Sequence, residues 1–232
     1  MTKFTIGVPV LLREDSHRQI VMDTIKSIKD NSEDYTLVIV DDGSPLMTGW
    51  LKDEADIYIR HKKNMGVSPS WNDILSISRS EYTCVCNDDI RVQPGWLNKF
   101  EKVYLDNKNV GVVGVKNGWE EGMPEYKWMS GFCFCLARET IKKIGLFNEK
   151  YVPFNFEDIW YWTKILLSGL KIKRAKDLEI WHKEGDTIHK LNHNEVSEKN
   201  KQLFIKEFNF DPQPVFFGDK DFKEVISNGT TQ

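Results

Sequence analysis

Short apolar runs alternate with longer amphipathic stretches through the first half of the chain, and this alternation limits the fold more than any other feature. The apolar runs predict strands at residues 4–12, 36–40, 57–60, 82–86 and 110–115. The stretches between them predict helices at residues 16–29 and 69–79, and a third helix that Pro94 begins. Strands that alternate with helices indicate an α/β fold, with a mostly parallel central sheet and helices on both faces.

The second half of the chain is less regular. Its pattern predicts an irregular loop at residues 119–127, strands at 132–136 and 178–181, and helices at 137–144, 158–169 and 195–208. Pro212, Pro214 and a charged tail follow the last helix. We therefore expect one domain over residues 1–190, with halves at 1–118 and 119–190. A C-terminal helix and tail over residues 191–232 extend it.

Composition and charge exclude several classes of protein. Apolar residues make up 40% of the 232 residues and charged residues 29%, which excludes a disordered chain and a coiled coil. The net charge of −3 differs from the basic balance of a protein that binds nucleic acid over its whole surface. The first apolar run is too short for a signal peptide or a membrane span. We expect a cytoplasmic protein, either free or peripheral to a membrane.

The four cysteines form two Cys-x-Cys pairs, Cys84/Cys86 and Cys133/Cys135, and each pair lies in a predicted strand. Side chains two residues apart on a strand point to the same face. We interpret the cysteines as buried, reduced thiols of an intracellular protein. The alternative is a four-thiolate zinc site, which requires the two pairs to meet in space and has a less favourable spacing than Cys-x-x-Cys.

Polar residues follow three of the predicted strands, at the points where those strands end. They are Asp41-Asp42, Asn87-Asp88-Asp89 and His182. Each group alone is typical of a turn, a loop or a structural histidine. Together they indicate a site, because ligands of open parallel sheets bind at the carboxyl ends of the strands. Carboxylates with one imidazole suit Mg²⁺ or Mn²⁺ beside a phosphorylated ligand, and the imidazole favours Mn²⁺.

An ordered series of motifs extends this pattern. It comprises Thr5-Ile6-Gly7-Val8-Pro9, the turn at 38–44, the N-x-G-x-S loop at 64–68 with Asn72, Asn87-Asp88-Asp89, Glu157-Asp158 and Trp181-His182. The series resembles family 2 glycosyltransferases with the GT-A (Rossmann-like) fold, close to the rhamnosyltransferase-like branch, over residues 4–187. The chain departs from the family where Asn87 replaces the first acidic residue of the D-x-D motif. It departs again where Trp71 stands in place of a frequent Arg.

The resemblance implies an inverting glycosyltransferase. The donor would be a nucleotide-diphosphate sugar, UDP- or dTDP-linked, and the acceptor a hydroxyl of a glycan, a lipid-linked sugar or another molecule. Asp89 and His182 would hold Mn²⁺ or Mg²⁺, and Asp158 would be the general base, with Glu157 as the alternative. Contacts to the nucleotide sugar are expected from Val8, Pro9, Asp42, Asn64, Gly66, Ser68, Asn72, Asn87 and Asp88. Candidates for contact with either sugar are Trp119, Trp128, Ser130 and Gly131.

Two other functions share part of this pattern. A nucleotidyltransferase would also carry strand-end carboxylates and a metal, but it would usually have a Gly-rich, Arg-containing loop after the first strand. Here Val10-Leu11-Leu12-Arg13-Glu14 lacks glycine. A non-catalytic module that binds a nucleotide sugar would not need the Asp158 carboxylate. The motifs leave the acceptor and the oligomeric state open.

Overall fold

The computed structural model describes residues 1–115, 123–127, 129–183 and 193–229. Its strands are β1 (Phe4–Val10), β2 (Tyr35–Asp41), β3 (Ile57–Arg60), β4 (Tyr82–Cys86), β5 (Ile90–Arg91), β6 (Val110–Val115), β7 (Cys133–Ala137), β8 (Lys171–Ala175) and β9 (Trp181–His182). Seven of these form one sheet in the order β3-β2-β1-β4-β7-β6-β8. Strand β7 runs antiparallel to both of its neighbours, and the other pairings are parallel. Strands β5 and β9 form a separate antiparallel pair.

Helices cover both faces of this sheet. They are α1 (Asp15–Asn31), α2 (Leu51–Glu54), α3 (Val67–Ile77), α4 (Trp96–Asp106), α5 (Arg138–Ile144), α6 (Glu157–Leu167), α7 (His193–Phe208), α8 (Pro212–Phe216) and α9 (Phe222–Gly229). One core contains side chains of α1 and α4, and the other contains side chains of α3, α6 and the C-terminal helices. The predicted α/β fold with a mostly parallel sheet is therefore confirmed. None of the described helices has the length and apolar character needed to span a membrane.

Alternation along the central strands divides their side chains between the two cores. In β7, Cys133 and Cys135 belong to the first core, whereas Phe134 and Leu136 belong to the second. Both faces of the strand are buried, which explains its continuous apolar sequence.

The cysteines lie side by side on β4 and β7. The strand register pairs Cys84 with Cys135 and Cys86 with Cys133, and the sulfur atoms of the second pair are 3.5 Å apart. All four side chains are fully buried, and burial raises the pKa of the Cys84 and Cys133 thiols well above its usual value. Across the described residues, no group of three or more histidine, cysteine or acidic side chains has an arrangement that would hold a metal ion.

The sequence pattern missed the short elements α2 and β5 and two larger parts of the fold. Strand β8 was not predicted because Lys171, Lys173 and Arg174 interrupt its apolar pattern, although Ile172 is buried. The segment after Pro212 was predicted as a charged tail, and this was wrong, because it forms α8 and α9. Their Phe216 and Phe222 pack in the second core.

We predict four free thiols in the native protein. The apolar surroundings disfavour the thiolate, so native cysteines should react slowly with alkylating agents and unfolded ones rapidly. Mass spectrometry after alkylation, with and without denaturant and without reductant, measures both states. Four adducts in denaturant and few in its absence are expected. A count of two or none in denaturant would contradict this prediction.

Candidate active site

A cavity of about 270 Å³ opens at the carboxyl ends of β1, β2 and β4. Many of the residues predicted from sequence to form a site lie on its wall. These are Pro9, Asp42, Asn64, Gly66, Asn87, Asp88, Ser130, Gly131, Glu157, Asp158 and His182. The cavity therefore brings together side chains that come from widely separated parts of the chain.

Asp41 serves the structure of the β2 turn. Its buried carboxylate accepts hydrogen bonds from the Ser44 amide at 2.8 Å, the Tyr58 hydroxyl at 3.0 Å, and the side chains of Thr48 and Arg60. Burial opposes its ionisation, but the bonds from Thr48 and Ser44 outweigh this and lower the pKa of Asp41. These bonds fix the Asp41 carboxylate to neighbouring residues of the turn and of β3.

Asp42, the next residue, faces the cavity and holds the loop that follows β3. Its Oδ1 accepts from the Met65 amide at 2.7 Å, and its Oδ2 accepts from the Gly66 amide at 2.9 Å. His61 lies between two carboxylates, with Nδ1 2.6 Å from Asp42 and Nε2 2.7 Å from Asp73. Burial opposes protonation of His61, but the bonds to both carboxylates raise its pKa, which favours the imidazolium form.

The loop at residues 64–66 is in direct contact with a second loop, which contains Pro153. Gly66 has a φ of 99°, and a Cβ at this position would lie 2.9 Å from the Pro153 carbonyl oxygen. The next amide, Val67 N, donates to the same oxygen at 2.9 Å. A glycine is required because both the left-handed conformation and the close approach exclude a side chain.

Three of the predicted nucleotide-sugar residues lie behind the described wall of the cavity. Val8 is fully buried in the first core. Ser68 donates to the Tyr151 carbonyl at 3.3 Å. The Asn72 amide bonds both the Phe147 backbone and the Glu149 carboxylate. These side chains support the wall from behind.

Asp89 and His182 meet because β5 pairs with β9. The register sets Ile90 opposite His182, and Asp89 Oδ1 lies 3.1 Å from His182 Nε2 without forming a hydrogen bond to it. The His182 ring stacks on Phe132 at a centroid distance of 4.4 Å. Asp89 Oδ1 and His182 Nδ1 are both buried, and neither has a hydrogen-bond partner among the described residues.

This pair fits a divalent cation. A carboxylate oxygen and an imidazole nitrogen are both ligands of Mn²⁺, and an unpartnered buried carboxylate oxygen is costly unless a cation compensates it. Two protein ligands leave the remaining positions for water and for the phosphates of a ligand, which is the usual arrangement for Mg²⁺ and Mn²⁺ in phosphate chemistry.

Asn87 Nδ2 lies 3.4 Å from His182 Nε2, and Asp88 Oδ1 lies 3.4 Å from His17 Nε2.

Asp158 lies in the first turn of α6 and lines the same cavity. Its Oδ2 accepts from the Gly131 amide at 3.0 Å, and its Oδ1 accepts from the Ile159 amide at 2.7 Å. Burial raises the pKa of Asp158 to about 6, although these amide bonds lower it. A carboxylate with a pKa in this range is ionised at neutral pH and is a stronger base than an exposed aspartate.

Glu157 has a different environment from its neighbour. It is buried, and its Oε2 has no hydrogen-bond partner among the described residues. Burial, together with the charge of Asp158, raises the pKa of Glu157 well above its usual value. The charge of the pair is therefore favoured on Asp158 rather than on Glu157.

The remaining predicted residues divide into two groups. Ser130 and Gly131 line the cavity, whereas Trp119 and Trp128 lie outside the described residues. Part of the cavity wall that the sequence pattern did not predict is formed by Pro153, Phe154 and Asn155.

Solved structures with the same fold are glycosyltransferases. The mannosyltransferase PcManGT of Pyrobaculum calidifontis, in complex with GDP-Man and Mn²⁺, has a TM-score of 0.59 at 18% identity, and the match covers 76% of this chain and 55% of that one. Residues 1–349 of S. aureus TarS have a TM-score of 0.61 at 15% identity, with 96% and 77% covered, and they are also known in complex with UDP. The chain thus spans about half the length of PcManGT. The fold is GT-A.

The family follows from sequence. The model of glycosyl transferase family 2 matches residues 5–164, which is more than half of the chain. The protein therefore belongs to this family. No curated protein shows a significant sequence match to it.

We predict that Gly131→Ala destabilises the protein. A Cβ at this position would lie 2.8 Å from the Trp71 ring and 3.1 Å from Asp158, so one of these packed groups must move. We expect the free energy of unfolding to fall by about 1–3 kcal/mol, as is usual for overpacking. Urea denaturation measures the change.

Gly49→Ala is the matched control, because a Cβ at Gly49 meets nothing within 4 Å. This variant should unfold at the wild-type urea concentration. Equal stability of the two variants would show that Asp158 and Trp71 do not approach Gly131 as closely as described.

Proposed function

We propose that this glycosyltransferase transfers a sugar from a nucleotide-diphosphate sugar to an acceptor hydroxyl with inversion, using Asp158 as the general base. The observation that carries this proposal is that one cavity contains both a candidate base and a candidate cation site. Asp158 and His182 line the same cavity, and Asp89 lies 3.1 Å from His182. A single displacement needs a base and a site for the leaving diphosphate on opposite sides of the reacting carbon.

In the proposed step, the acceptor oxygen attacks the anomeric carbon while Asp158 takes the proton of the acceptor hydroxyl. The bond from the anomeric carbon to the phosphate oxygen breaks, and the nucleoside diphosphate leaves with the electron pair. Attack opposite the leaving group inverts the configuration. The bonds from the Gly131 and Ile159 amides orient the carboxylate before the acceptor arrives.

The donor occupies the side of the cavity formed by Pro9, Asp42 and Asn64. Asp42 Oδ2 accepts one protein hydrogen bond, so it retains the capacity to accept another from the nucleotide base. Asp88 accepts a hydrogen bond from a ribose hydroxyl. The proposed donors are UDP- and dTDP-sugars. The UDP complex of TarS supports a uridine nucleotide, and the GDP-Man complex of PcManGT supports a nucleotide-diphosphate sugar in general.

Asp89 and His182 hold the divalent cation of this proposal. When bound, Mn²⁺ or Mg²⁺ neutralises the charge that develops on the departing diphosphate. The contribution of the protein is to fix the two ligands. Phe132 supports the imidazole ring, and the β5–β9 pairing sets its distance from Asp89.

Asp158→Asn tests the assignment of the base. The change keeps the size of the side chain and removes the proton acceptor, so the transfer rate should fall by roughly 100-fold or more. Donor affinity should change little. In the wild type, the rate should fall as the pH drops below about 6, because protonated Asp158 cannot accept a proton. Transfer rates measured across pH should lose this acidic limb in the variant.

Glu157→Gln is the matched control for this substitution. Burial and the charge of Asp158 favour the protonated form of Glu157, so replacing it by the uncharged amide should affect the rate less. If Asp158→Asn keeps the wild-type transfer rate while Glu157→Gln is inactive, the base is Glu157. If neither variant loses rate, the inverting mechanism proposed here is wrong.

Asp89→Ala and His182→Ala test the cation site. Bound ligands stabilise a folded protein, so Mn²⁺ should increase the thermal shift that UDP causes in the wild type. In either variant Mn²⁺ should add little to that shift, and transfer should lose most of its dependence on the metal. Asp53→Ala, at an exposed position on α2, should behave as the wild type does. A normal Mn²⁺ effect in both site variants would contradict the assignment.

A further inference from the structure

The segment that carries the candidate base into the cavity has a strained backbone. We name residues 152–156 the base loop, because it directly precedes Glu157 and Asp158. Asn155 and Phe156 have φ angles of 69° and 72°, which place two successive non-glycine residues in the left-handed region. Residues with a Cβ rarely adopt this conformation, so surrounding contacts must hold it.

The base loop is fixed from two sides. Toward the nucleotide side, the Pro153 carbonyl accepts from the Val67 amide at 2.9 Å. From the other side, the Asn200 amide of α7 donates to the Phe154 carbonyl at 2.9 Å and to the Asn155 carbonyl at 3.0 Å. The Asn155 carbonyl therefore belongs to the first of the two left-handed residues.

Asn200 is placed to act as a clamp. Its side chain has 0% exposure, and one amide group binds two consecutive carbonyls of the base loop. Helix α7 is itself anchored next to this point, where Phe204 packs in the second core. Further along, Glu207 accepts from the Trp160 indole of α6 at 2.7 Å. The helix therefore contacts both the base loop and the helix that the loop begins.

We propose that Asn200 is a positioning residue, which holds the strained base loop so that Asp158 points at the acceptor. Asn200 lies outside residues 5–164, the segment that the family model matches. The proposal therefore gives α7 a part in the reaction. It rests on the function proposed above, because it assumes that Asp158 is the base.

Hydrogen exchange tests the clamp without any assay of transfer. In Asn200→Ala, the amides of residues 154–158 should exchange faster than in the wild type, because the loop loses two hydrogen bonds. Asn200→Ser retains a shorter donor and should give an intermediate rate. Gln202→Ala is the control on the same helix, because Gln202 is exposed and bonds only Glu198 within α7. Exchange in the control should match the wild type.

Kinetics then test whether the clamp serves Asp158. In Asn200→Ala we expect kcat to fall by roughly 10- to 100-fold through misplacement of the base, with little change in donor affinity. The acidic limb of the pH profile should move to lower pH, because a loosened loop admits water to Asp158. In an Asp158→Asn background, Asn200→Ala should lower the rate little further, since both changes remove the same contribution.

Several results would overturn the proposal. Unchanged exchange at residues 154–158 would show that Asn200 does not hold the loop. If exchange is faster but kcat and the pH profile stay as in the wild type, the loop does not position the base. The same conclusion follows if Asn200→Ala causes its full loss of rate in the Asp158→Asn background as well. If Asp158→Asn alone retains the wild-type rate, the proposed function fails instead, while the exchange data still decide whether Asn200 clamps the loop.

Discussion

The direction of β7 determines where the active site lies. This strand is antiparallel to β4, with Cys86 paired to Cys133, so the chain enters β7 at the edge where β4 ends. Residues that precede β7 therefore meet residues that follow β4. For this reason the Gly131 amide reaches Asp158, and the Phe132 ring supports His182. A parallel strand in this position would carry the same residues to the opposite edge of the sheet.

Several carboxylates gather at this edge, and the protein treats each of them differently. Arg60 compensates Asp41, and His61 compensates Asp42. Burial and the charge of Asp158 raise the pKa of Glu157, which favours its protonated form beside the Asp158 carboxylate. Asp89 Oδ1 lies 3.1 Å from His182 Nε2 and has no hydrogen-bond partner among the described residues. Each carboxylate at this edge thus has a different electrostatic environment.

The sequence predicted the sheet, most helices and many residues of the cavity, because these depend on periodicity and on polar residues at strand ends. It did not predict β8, in which three of the five residues are charged, or α8 and α9, which follow or contain Pro212 and Pro214. It assigned Ser68 and Asn72 to the ligand, whereas their side chains bond the backbone at Tyr151 and Phe147. Such partners lie far away in sequence, so residue type and spacing alone do not reveal them. Asn200 was missed for the same reason.

The family model matches a shorter segment of the chain than the one that contributes to the packed cores. Residues 5–164 end within α6, before β8, before His182, and before the helices that place Phe204, Phe216 and Phe222 in the second core. A fragment cut at residue 164 would lose the β8 edge of the sheet and expose the aromatic face that those helices cover. The family match therefore covers less of the chain than the packed core, which extends into the C-terminal helices.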